Sequence, residues 1–94
     1  MKTFMVIAKF KNGVTPEQIR DLIPAEQLQA EILKNKGLIG EIKVAMPKRT
    51  VFLEANAESE VEAEASIRSL PLAKLWDIEI FETTPPAGAA AVIQ

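Results

Sequence analysis

The chain has 94 residues, enough for one domain and too few for two. It contains no Cys, His or Tyr, which excludes disulfides, thiolate catalysis, zinc–thiolate sites and imidazole acid–base chemistry. A net charge of −2 and a sequence pI of about 5.1 leave no basic footprint for a nucleic-acid partner.

Thr3 to Phe10 (TFMVIAKF) reads as a strand that is apolar on both alternating sets. Phe4, Val6, Ala8 and Phe10 form one set, and Met5 and Ile7 lead the other. A strand of that kind is covered on both faces. Lys9 and Lys11 interrupt the apolar run, so neither a signal peptide nor a membrane span is expected, and the expected location is cytoplasmic. Asn12-Gly13 ends the strand. Thr15-Pro16-Glu17-Gln18 then opens a helix, with Thr15 as N-cap, Pro16 at the first helical position and Gln18 completing a capping box. Its stripe runs Ile19, Leu22, Ile23, then Ala30 and Leu33, and Gly37 ends it. Pro24 is expected to kink this helix or to split it.

Leu38 to Met46 alternates as a strand, with Leu38, Ile42, Val44 and Met46 on one side and Ile39, Glu41 and Lys43 on the other. Pro47-Lys48-Arg49 turns the chain, and Thr50 to Ala55 returns. Glu58 to Leu70 alternates like a strand, but Ala and Glu are strong helix formers, and propensity predicts a helix that Pro71 ends. Trp76 to Glu82 is the last strand. Residues 1–82 are therefore expected to form a single domain, and 83–94 a tail that is either flexible or docked through Val92-Ile93 on a partner.

The order strand, helix, strand, strand, helix, strand predicts an α+β, ferredoxin-like βαββαβ fold. Its antiparallel sheet has strand order 4-1-3-2, with both helices on one face. The helix-free face carries Phe52, Glu54, Asp77, Glu79 and Phe81 beside Met5 and Ile7. Four strands about 4.8 Å apart and about seven residues long cover on the order of 400 Å², which would be near the largest patch that a monomer exposes if it were largely apolar, but here apolar groups mix with charge and size alone does not decide. The two-faced first strand decides for a homodimer in which two sheets enclose a partly polar cavity, the alternative being a monomer whose second face is solvated.

Leu70-Pro71-Leu72, followed after a four-residue gap by Asp77-Ile78-Glu79, resembles the muconolactone isomerase family of dimeric α+β barrels. Glu26, Ala30, Leu33 and Gly37 in the first helix and Lys43-Val44-Ala45 in the second strand support the resemblance. It implies a cofactor-free isomerase that moves a double bond in a small lactone bearing a carboxylate. It also implies a barrel dimer that assembles into larger rings. Where the family has His and Tyr, this chain has Met46-Pro47-Lys48-Arg49.

The candidate proton-transfer residues are Glu26, set in the apolar phase of the first helix, and Glu79 on the last strand. Lys43 and Arg49 are the candidate anion-binding residues, with Glu54 on the same cavity face. Each has a plainer reading. Glu26 would be a first-turn residue stabilised by a helix dipole after Pro24, and Lys43 would pair with Glu41 or Glu54. Trp76 reads as core or dimer contact. No Asp-rich loop supports a hard cation, and neither a metal nor a cofactor is expected. The expected partners are a second copy of the chain and a small organic acid or lactone, with no nucleic acid and no membrane. A non-catalytic barrel module, binding a ligand or serving assembly, is the alternative.

Overall fold

A computed structural model of the chain describes residues 1–86. β1 (Lys2–Phe10) runs along the interior of a four-stranded sheet. It pairs antiparallel with β3 (Thr50–Ala57) on one side and β4 (Trp76–Thr83) on the other. β2 (Ile39–Ala45) pairs with β3 and forms an edge, so the order is β2-β3-β1-β4, as expected from the sequence. With α1 (Pro16–Asn35) and α2 (Glu60–Arg68) this is the α+β, ferredoxin-like arrangement. The expected docking of Val92-Ile93 falls outside the described residues.

Alternation along β1 sends Phe4, Val6, Ala8 and Phe10 into the core beneath the helices, beside Val51, Leu53, Ala55 and Ala57 of β3. Each large side chain buried there stabilises the fold by about 1.5–3 kcal/mol. Met5, Ile7, Phe52 and Phe81 point to the opposite face.

Local chemistry sets the helix ends. Thr15 accepts from the Gln18 amide while the Gln18 side chain accepts from the Thr15 amide, a closed capping box. At the other end Leu38 N donates to Leu33 O and Gly37 N to Lys34 O, which is a Schellman motif. Gly37 makes that geometry with φ of +75°. A Cβ there would touch nothing within 4 Å, so the cost of Gly37→Ala should be only the strain of an L side chain in the left-handed region. The expected cost is about 1 kcal/mol in urea unfolding, with the slope of the transition unchanged.

Two expectations are corrected. Pro24 does not split the first helix into two, because α1 is one 20-residue helix with Pro24 inside it. Pro24 and Arg20, whose carbonyl loses its helical partner, are both solvent-exposed residues, so the missing bond lies on the outer side of the helix. This also removes the reading of Glu26 as a first-turn residue. Ile39 is the second correction. A β-bulge lies between Ile39 and Ile42, so Ile39 pairs with Ala55 and turns into the core, where it is buried. Gly40 lies in the bulge, where a Cβ would meet only the flexible side chain of Glu54.

Candidate functional site

α1 presents Ile23, Glu26, Gln27, Ala30, Glu31 and Lys34 along one face, the i, i+3, i+4 spacing of a single helical stripe. Opposite them stand Ile42 and Val44 of β2, Val51 of β3 and Trp76 of β4, with Leu72 closing one end. Between the two walls lies a cavity of about 560 Å³, within the roughly 300–1,000 Å³ of small-molecule sites. The sheet wall is aliphatic apart from the Trp76 indole, and every ionisable group lining the space comes from α1. Val44 shares the helix-facing side of β2 with Ile42, yet it is exposed where the cavity opens beneath the β2 edge.

Glu26 is the buried carboxylate of this space, 9% exposed. Its Oε1 accepts from the backbone amide of Leu72 at 2.8 Å, from the short 3₁₀ turn Pro71–Leu75 that leads into β4. The helix residue and the Leu-Pro-Leu corner, far apart in sequence, are therefore one structural unit. Oε2 receives no protein hydrogen bond among the described residues. Burial in apolar surroundings pushes the Glu26 pKa above its ordinary 4.5, and the Leu72 amide opposes that shift only in part. Exposed Lys34 and Asn35 line the rim. Lys34 forms no ion pair among the described residues. Trp76, 2% exposed, lines the sheet side and meets the Phe10 ring edge-on, with centroids 6.1 Å apart.

The raised pKa has a stability consequence. A carboxyl that the fold holds more readily in its protonated form stabilises the native state fully below its unfolded pKa. That contribution disappears as pH rises through the higher folded value. Glu26→Gln keeps an acceptor for Leu72 N and never ionises. The variant should therefore gain stability relative to the parent between pH 4.5 and 8, read as diverging urea midpoints. Glu26→Ala should instead lose about 1–3 kcal/mol across the range, because it orphans the Leu72 amide.

The candidate residues from the sequence do not share this cavity. Lys43, Glu54 and Glu79 lie across the sheet, on the helix-free face. Lys43 and Glu54 line a small pocket there of about 140 Å³, and Lys43 Nζ lies 3.8 Å from Glu41. Glu79 sits in the same cross-strand row as Lys43, Phe52 and Ile7. Three strand spacings, about 14 Å, separate it from Lys43. Arg49 is at the β2–β3 turn with φ of 51°, and its Nη2 donates to the carbonyls of Lys11 and Val14, clasping the loop after β1. Only Glu26 is in the large cavity. Lys34 and Trp76 were not singled out for it, though the i+8 spacing of Lys34 from Glu26 is legible in the sequence.

No protein-family model matches the chain, and no curated protein does. Among solved structures, the crystal structure of muconolactone isomerase matches at a TM-score of 0.71. It covers 93% of this chain and 94% of that one, at 18% identity. The chain therefore shares the fold of that protein, over nearly the whole length of both.

Proposed function

We propose that this chain is a cofactor-independent isomerase that shifts a double bond in a small lactone or related organic acid, using Glu26 as its proton carrier. The observation that carries the reading is the buried carboxylate of Glu26, raised in pKa and with one oxygen free, in a cavity of ligand size whose other carboxylate, Glu31, is exposed. Glu26 Oε2 takes a proton from the carbon next to the ligand carbonyl. The C–H pair becomes a new C=C bond, and the carbonyl oxygen takes the negative charge. The same carboxyl then returns the proton two carbons further on, the carbonyl re-forms, and the double bond has moved with no net change in atoms. Lys34 at the rim is placed to hold the ligand carboxylate. The name of the similarly folded muconolactone isomerase supports the reaction class.

We propose, too, that the helix-free face closes against a second copy. Phe81, 47% exposed, and Phe52 and Met5 give that face an apolar centre, with Ile7 between them. Lys43 and Glu79 stand at opposite ends of one row. A two-fold axis parallel to the strands sets β2 of one copy over β4 of the other, so that Lys43 meets the partner's Glu79. In this arrangement Glu79 and Lys43 serve assembly.

A second reading has its own observation. The Glu26–Leu72 hydrogen bond ties α1 to the entry of β4, as a purely structural carboxylate would in a non-catalytic module. Incubating the protein in D₂O with a carboxymethyl-bearing unsaturated γ-lactone separates the two. Enzyme-dependent deuterium at the ring carbons supports the isomerase, whereas binding without exchange supports the module.

A further inference from the structure

We infer that the preferred ligand of this cavity is larger than a carboxymethyl γ-lactone: a lactone acid whose ring carries an alkyl chain, laid on the sheet wall as far as Val44. The inference rests on the cavity being the ligand site and names the ligand more closely. Size is the first observation. The parent lactone has about ten non-hydrogen atoms, which at the packing density of protein interiors occupy roughly 200 Å³. The cavity measures about 560 Å³, so a molecule that small leaves more than half of it to water. Length agrees with volume. Glu26 sits beside Leu72 at the closed end, and Lys34 lines the rim on the same helix. At 1.5 Å of rise per residue the two are about 12 Å apart along the axis.

The distribution of polarity says what fills the remainder. The charged and amide side chains of the lining all come from α1. Opposite them, Ile42, Val44 and Val51 offer aliphatic surface alone. Water against such a wall finds no partner, and replacing it with hydrocarbon is favourable. Val44 marks how far that surface extends. Its cross-strand neighbour Val51 is 4% exposed, whereas Val44 is 57% exposed at the mouth. The wall therefore continues beyond the covered part of the cavity to the β2 edge. A second polar ring would meet no hydrogen-bonding group on that wall, but an alkyl chain needs none. Lys34 is the only cation in the lining, which keeps the ligand an acid. Val44 thus determines specificity for the chain, separately from whether Glu26 moves a proton.

The test compares the parent carboxymethyl γ-lactone with analogues bearing methyl, propyl or pentyl on the ring carbon that exchanges no proton. Each added CH₂ should tighten binding to the wild type by about two- to threefold in calorimetry, so that the pentyl compound binds on the order of fiftyfold better than the parent. Val44→Thr keeps the side-chain shape and the strand preference, but its hydroxyl holds water at the mouth. It should cut the pentyl-to-parent ratio by about fivefold. A parent that binds while longer chains bind no better overturns the inference and leaves the cavity reading standing. A ratio that rises with chain length but ignores Val44→Thr overturns the place given to the chain. If none of the analogues binds, the cavity reading fails as well.

Discussion

Glu26→Gln should reduce deuterium exchange into the γ-lactone by about 10²–10⁴-fold, the usual contribution of a positioned acid–base group. The amide is nearly isosteric and still accepts from Leu72 N, so the helix and the turn remain joined. Lactone affinity should change little, because the carboxyl contributes a proton-accepting oxygen and the apolar walls contribute the binding surface. Exchange in the wild type should climb with pH along an acid limb lying above the ordinary carboxylate value of 4.5, since only the ionised carboxyl accepts a proton. Unchanged exchange in the variant would assign Glu26 to structure alone.

Phe52→Asp should convert a dimer into a 10.3 kDa monomer at micromolar concentration. Phe52 lies in the middle of the Lys43–Phe52–Ile7–Glu79 row. An unpaired carboxylate there would be desolvated on association at a cost of several kcal/mol, more than a hundredfold in affinity. Because the residue is 39% exposed in the single chain, the fold itself should tolerate the change. The charge pairing makes a sharper forecast in sedimentation. Lys43→Glu and Glu79→Lys should each weaken the dimer, and the two together should restore it. Additive weakening in the double variant would overturn the two-fold axis proposed here.

Most of the fold is legible in the sequence because its signals are local and agree with one another. The Thr15–Gln18 box, Gly37 at the helix end and the twin apolar sets of β1 each specify an element, and the alternation specifies which face is buried. The exceptions have physical causes. Pro24 counts against a continuous helix by about 3 kcal/mol in isolation, yet the buried positions Glu26, Ala30 and Leu33 hold the helix together past it. The bulge at Gly40 adds a residue to β2, and simple alternation then assigns Ile39 to the wrong face. The site was legible only in part. Glu26 stands out as a carboxylate in an apolar phase, but strand parity sends Lys43 and Glu79 through the sheet to the other side, and Trp76, three residues before Glu79, faces the helices.

The most direct measurement is a crystal structure of the protein soaked with the carboxymethyl γ-lactone. The expected result is the ring between α1 and the β2–β3 sheet wall, with a ring C–H at Glu26 Oε2 and its carboxylate near Lys34. Lactone density between two opposed sheets, beside Lys43 and Glu54 with the α1 cavity vacant, would contradict it.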